Sequence, residues 1–218
     1  MSSPFRSRLN GLYIITDARL GGGHLPICRA ALAGGARIIQ LRDKTTPPRD
    51  LLKIALEMRE LTRQNDAIFL INDRLDLALL CDADGVHLGP DDFPIAHVRR
   101  VLGPQKLIGA STATPAEALA AQSQSADYLG IGAVFGTSTK IDAGEAIGLK
   151  TLRAVLGATT LPAAAIGGLY LSNARSTIEA GAAMACVVSA VASAGDEAAM
   201  TRATRNLIAA LDLGVETS

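Results

Sequence analysis

Short apolar runs punctuate the chain: "LYIIT" (12–16), "RIIQL" (37–41), "AIFLI" (67–71) and "DGVHL" (84–88), then "KLIGA" (106–110), "DYLGIGAVF" (127–135), "PAAAI" (162–166) and "MACVVS" (184–189). Most lack the polar alternation of a half-exposed strand, so they read as strands buried on both faces, the habit of parallel sheets. Between them lie segments of helical period, among them residues 49–65, 115–125, 149–157 and 172–181. Thr114–Pro115 and Ser172 are opening signals and Gly181 a closing one. A last amphipathic stretch, "DEAAMTRATRNLIAALDL" (196–213), closes the chain, and only a short helix, "DRLDLALLC" (73–81), fits between the third and fourth runs.

Eight strand–helix units in 218 residues leave about 27 residues each, which suits a compact (β/α)8 TIM barrel, a fold that begins near roughly 200 residues. A doubly wound open sheet shares the alternation and stands as the competing arrangement. No linker or low-complexity tract marks off a second domain. Residues 1–218 are therefore expected to form one α/β domain, with 1–11 and 212–218 peripheral or flexible.

Composition narrows the function classes. Hydrophobic residues make up 49% of the chain, enough for a globular core. Lys plus Arg and Asp plus Glu balance at 21 each with no basic block, which argues against nucleic acid or a membrane surface as partner. Cys28, Cys81 and Cys186 are odd in number and share no metal-ligand spacing, as expected of reduced cysteines. The opening "MSSPFRSRLN" lacks the apolar core of a secretory signal, and no apolar run reaches the ~20 residues of a membrane helix. A cytoplasmic protein is expected.

In a barrel, chemistry sits at the C-terminal ends of the strands. Gln40, Arg42 and Lys44 occupy alternate positions where the second strand runs out, so their side chains leave the extended backbone on one side. The third strand ends in Asn72 and Asp73, and the fourth runs into "HLGPDD", with His87, Asp91 and Asp92. Ser111 ends the fifth. The sixth leads into "FGTSTK", with Thr137, Ser138, Thr139 and Lys140; Gly167–Gly168 end the seventh and Ser189 the eighth. Singly, each has a plain structural reading: Asp73 as a helix cap, Asp91 and Asp92 as turn residues, His87 as a core or rim histidine.

Together they point to phosphate. Cations, hydroxyls and loop amides suit phosphate oxygens. Carboxylates do not, since each repels a phosphate by about 4 kcal/mol at 4 Å and an effective dielectric of 20. Two acids beside three cations therefore imply a bridging Mg²⁺, which takes one or two carboxylates plus phosphate oxygens. The substrate read from this set is phosphorylated, and the charge count points to a diphosphate.

These residues lie in runs that resemble the thiamine phosphate synthase family: "GGARIIQLRDK", "FLINDRLDLALLCDADGVHLG", "IGAST", "ADYLGIGAVFGTSTK", "AIGG" and "AGAAMACVVSAV", in the family's order over about residues 12–191. The resemblance implies a barrel enzyme that joins an aminopyrimidine diphosphate to a thiazole phosphate, releasing pyrophosphate and thiamine monophosphate. It implies that Gln40, Arg42, Lys44, Asn72, Ser111 and Lys140 hold the pyrimidine diphosphate. It assigns the thiazole phosphate to Thr137, Ser138, Thr139, Gly168, Val188 and Ser189, and Mg²⁺ to Asp73 and Asp92. Arg42, Lys44, Lys140 and Ser111 would carry the catalysis, and truncating Lys140 is expected to lower turnover while leaving folding intact.

Three positions depart from the family pattern: Pro90 stands for Gln in the metal loop, Ala113 for His after the strand-five serine, and Gly136 for Pro in "FGT". None removes a charge. Two alternatives stay open: a thiazole tautomerase of the same fold, disfavoured because the Gln–x–Arg–x–Lys set is intact and "IGAVFGT" has no His, and a non-catalytic barrel that binds a thiamine precursor. The expected partners are small-molecule substrates, with a homo-oligomer left open.

Overall fold

The computed structural model describes residues 3–137 and 145–211. Eight strands close into a barrel in chain order: β1 (Gly11–Thr16), β2 (Ile38–Leu41), β3 (Ile68–Asn72), β4 (Gly85–Leu88), β5 (Leu107–Thr112), β6 (Tyr128–Ile131), β7 (Ala163–Ile166) and β8 (Met184–Val187). Every pairing is parallel, and β1 returns to pair with β8, so the open doubly wound sheet is excluded. The outer layer comprises α1 (His24–Ala33), α2 (Pro48–Gln64), α3 (Leu75–Leu80), α4 (Ile95–Leu102), α5 (Pro115–Ser123), α6 (Gly148–Gly157), α7 (Ala174–Glu179), α8 (Ser189–Ala192) and α9 (Glu197–Leu211).

The core has two parts because a buried strand has two apolar faces. Outward-facing residues such as Ile14, Ile39, Phe69, Leu129 and Ala165 pack against the helices. Inward-facing Tyr13, Ile38, Ile68, Leu70, Leu107, Tyr128 and Met184 fill the barrel itself. The residues ahead of β1, expected to be peripheral, bring buried Leu9 and half-buried Phe5 against that interior. Two aspartates clamp the N-terminal ends of strands. Asp84 accepts from the Phe69 amide (2.8 Å) and Arg59 (3.0 Å); Asp127 accepts from the Ile108 amide (2.8 Å) and Arg99. Each satisfies a strand-end donor and an arginine on α2 or α4 at once.

Some expected boundaries move. The sixth strand stops at Ile131 rather than Phe135, and at Gly132 the backbone lies so close to β7 that an added Cβ would stand 2.1 Å from the Ile166 oxygen. Beyond it, the Val134 and Phe135 amides donate to Ile166 and Gly167 (2.8 and 3.0 Å) in a turn that builds the mouth. Ser172 does not open α7. Asn173 is the cap residue, and its side chain turns away, accepting from the Tyr170 amide and donating to the Gly168 carbonyl. Thr114, by contrast, forms the full reciprocal capping box with Glu117. Among the described residues no helix is long and apolar enough to cross a membrane.

Candidate active site

Inward positions change character along each strand. On β2 they run Ile38, Gln40, then Arg42 beyond the strand end; on β3 Ile68, Leu70, Asn72; on β5 Leu107, Gly109, Ser111. The apolar ends make the barrel floor, and the polar ends open into a cavity of about 330 Å³ at the C-terminal mouth. That volume is within the range of small-molecule sites. Gln40, Arg42, Asn72, Ser111, Thr137, Gly168, Val188 and Ser189, all singled out from sequence, line it together. Ser138, Thr139 and Lys140 lie outside the described residues.

Lys44, Asp73 and Asp92 gather on the rim beside the cavity. Lys44 Nζ is 3.5 Å from Asp73 Oδ2. Asp92 Oδ2 accepts from the Gly89 amide (2.6 Å), so it serves its turn and still reaches Asp73. Asp73 is not the cap of α3: that place belongs to Arg74, and the Asp73 carboxyl points to Lys44 and Asp92 instead. Its backbone is in the left-handed region (φ 61°), which aspartate tolerates, and its amide donates to the His87 carbonyl (2.9 Å). Burial and the neighbouring Asp92 carboxyl push the Asp73 carboxyl above its usual range, with Lys44 opposing them. Two mutually repelling carboxylates at a half-buried rim are a donor set suited to a hard divalent cation that keeps waters and shares phosphate oxygens.

The loop that carries Arg42 and Lys44 is organised by a residue between them. Asp43 accepts from the amides of Thr45 and Thr46 (2.7 and 2.8 Å) and from the Thr46 hydroxyl (2.6 Å), and pairs with His24 Nε2 at 2.9 Å. His24 in turn meets the Thr16 hydroxyl at 2.7 Å. Burial works against the Asp43 carboxylate, but these hydrogen bonds outweigh it and hold the group well below the usual carboxylate range. Sequence reasoning left His24 without a role. The Asp–x–Thr–Thr turn was a local signal for half of this cluster, whereas the histidine 19 residues away leaves none.

Two further carboxylates face the cavity but are occupied. Asp17 is bound by Arg19 (2.9 Å), whose hydrogen bonds hold its carboxyl low, and Glu117 accepts from the Ala113 amide (2.6 Å). Opposite them, Gly167 and Gly168 turn the chain with φ of 97° and 63°. A Cβ at Gly168 would stand 2.4 Å from the Gly136 oxygen, so only glycine lets the two mouth loops meet this closely. Cys186 also lines the cavity, but burial drives its thiol far above the usual value, leaving no thiolate for chemistry.

Known proteins share both sequence and shape with this chain. The family model described as thiamine monophosphate synthase matches residues 12–191. A thiamine-phosphate synthase from Moorella thermoacetica is 47% identical over 199 residues, 90% of this chain and 95% of that protein. One from Methanoculleus marisnigri is 46% identical over 201 residues, 91% of this chain and 95% of that protein. The solved thiamine phosphate pyrophosphorylase from Pyrococcus furiosus superposes with a TM-score of 0.86 at 41% identity, covering 96% of this chain and all (100%) of that one. On the strength of a match that spans all eight strands of the barrel, the chain belongs to the thiamine monophosphate synthase family.

Proposed function

We propose that this protein is a thiamine-phosphate synthase, a transferase that moves the aminopyrimidine methylene group from its diphosphate to the ring nitrogen of a thiazole phosphate. The methylene carbon–oxygen bond breaks and its electron pair leaves with pyrophosphate. A carbon–nitrogen bond then forms from the thiazole lone pair. The product is thiamine monophosphate. Family membership supports this reading, and the observation that carries it is the convergence of Arg42, Lys44, Asp73 and Asp92 around one cavity mouth.

Departure of the leaving group runs ahead of attack, because the pyrimidine amino group donates electrons to the carbon as positive charge develops there. The protein's task is then to stabilise charge gathering on the departing diphosphate. Arg42 from the cavity wall and Lys44 from the rim do this, with Lys140 assigned to the same task by its family position. Asn72 and Ser111 place polar groups beside the same ligand, and Gln40 lies deeper in the cavity wall. Thr137, Ser138, Thr139, Gly168, Val188 and Ser189 are assigned to the thiazole phosphate.

Asp73 and Asp92 fit Mg²⁺, which when bound would add positive charge against the diphosphate oxygens. The thiazole nitrogen carries no proton in its reactive form, so no strong general base is needed. That agrees with Asp17 and Glu117 being tied into hydrogen bonds.

Phosphorus NMR of the protein mixed with both substrates and Mg²⁺ tests the proposal. Loss of the diphosphate ester with stoichiometric appearance of pyrophosphate and thiamine monophosphate is expected. Conversion of a thiazole tautomer without pyrophosphate release would support the tautomerase reading instead. Tight binding of the diphosphate with no turnover would support a binding barrel.

A further inference from the structure

The segment that carries Arg42 and Lys44 is braced by two buried side chains, neither of which lines the cavity. The Asp43 side chain is 1% exposed and that of His24 2%. Besides the bonds already described, the Thr45 hydroxyl reaches Asp43 Oδ1 (3.1 Å), so five donors from three residues surround one carboxylate. They hold that carboxyl well below the usual range, so it is ionised and only accepts. The proton that joins the pair therefore sits on His24 Nε2.

The same imidazole grips the chain at a second point. His24 Nδ1 is 2.7 Å from the Thr16 hydroxyl, which lies 3.3 Å from the Gln40 carbonyl. The chain is thus tied to His24 on both sides of Arg42. His24 is itself fixed to the body of the protein, because the turn ahead of it is packed tightly. A Cβ at Gly21 would stand 2.8 Å from Ile27 Cγ1 on α1, 2.8 Å from Met200 Sδ on α9 and 2.9 Å from the Ala192 carbonyl on α8.

Consecutive side chains of an extended segment leave on opposite sides. Pulling Asp43 to His24 therefore sets the side on which its neighbours leave: Arg42 lines the cavity, and Lys44 stands 3.5 Å from Asp73 at the rim. A brace that served the fold alone would hold the loop equally well at any of its residues. This one grips the residue between the two cations. We propose that His24 is a positioning residue for the transfer reaction: fixed by Thr16 and the turn before α1, it anchors Asp43 and so aims Arg42 and Lys44 at the departing diphosphate. The inference rests on the transfer reading above. The thiazole phosphate, assigned to residues after β6, β7 and β8, draws on none of these contacts.

Two variants of the full chain separate positioning from plain support: His24→Leu has no donor, whereas His24→Gln keeps an amide that can donate to Asp43. In pyrophosphate-release assays with Mg²⁺, His24→Leu is expected to lose at least about tenfold in kcat, since small misplacements of a catalytic group are costly. Its affinity for inorganic pyrophosphate with Mg²⁺, read by calorimetry, should fall as well, while the KM for thiazole phosphate stays near wild type. His24→Gln should recover most of both losses. Unchanged kcat and pyrophosphate affinity in folded His24→Leu overturn the proposal. So does a loss that strikes both substrates alike and that His24→Gln does not recover, since that marks a structural role. Should His24→Leu fail to fold, Thr46→Val decides: it deletes one hydroxyl from the same carboxylate, and a kcat equal to wild type overturns the proposal. Wild type that binds pyrophosphate but releases none from the substrates contradicts the transfer reading alone, and the pyrophosphate affinity of the variants then decides the role of His24. Wild type that binds no pyrophosphate overturns both.

Discussion

Asp73 brings a left-handed backbone, which aspartate tolerates, and an unfavourable charge to the same place on the rim. Its folded pKa is raised above the unfolded value, so its contribution favours the fold at low pH and is lost as pH rises through the folded pKa. At neutral pH the paired charge with Asp92 is a burden that a bound cation would relieve. Asp73→Asn is expected to raise the melting temperature of the metal-free protein, to abolish the further rise on adding Mg²⁺, and to lower kcat/KM at least about tenfold. Calorimetry with and without Mg²⁺ reads the first two effects.

Asp43 has the opposite sign. Its folded pKa is depressed, so its stabilisation is present above the unfolded value of about 3.9 and is lost as pH falls below it. Asp43→Asn should cost about 1–3 kcal/mol in urea melts at pH 7 and less at pH 3. A pH-independent loss would contradict that role. At this scale the sequence disclosed residues that stand at strand ends, such as Arg42 and Asp73. It hid partners that meet only in three dimensions: Tyr13 and Tyr128 are 115 positions apart, and no periodicity links them.

Elements were legible where the pattern was strong. All eight strands lie within the apolar runs that announced them, give or take a residue or two, apart from the overlong sixth. The Thr114 capping box supplied a real start signal, whereas Ser172 lies just ahead of the residue that opens α7. Helices α1 and α4 were harder to read because Gly23 and Pro94 precede them without any side-chain capping bond. The sixth strand overran because "GAVF" is as apolar as a strand, although its amides at Val134 and Phe135 turn to the Ile166 and Gly167 carbonyls. That same loop meets the Gly168 turn, which makes the glycine testable. Gly168→Ala should destabilise the protein by more than about 1 kcal/mol, through a left-handed φ and a backbone clash, and should raise the KM for thiazole phosphate. Gly136→Ala, where the added methyl meets nothing within 4 Å among the described residues, is the control expected to leave stability near wild type.

The whole molecule divides its polar residues between two ends. At the floor, Asp84 and Asp127 are spent on strand-end amides and on Arg59 and Arg99, which is structural work. At the mouth, Arg42 faces a cavity, and Lys44 faces a carboxylate pair that repels itself. Closure of eight parallel strands is what brings side chains from residue 40 to residue 189 to one opening. The barrel and the family were therefore readable from the order of runs and motifs, while the wiring of the interior was not. The most direct test is kcat for thiamine monophosphate formation in Arg42→Ala, at saturating substrates and Mg²⁺. A fall of about 10²-fold or more with an unchanged melting temperature is expected if rim charge stabilises the departing diphosphate. A kcat close to wild type would contradict it.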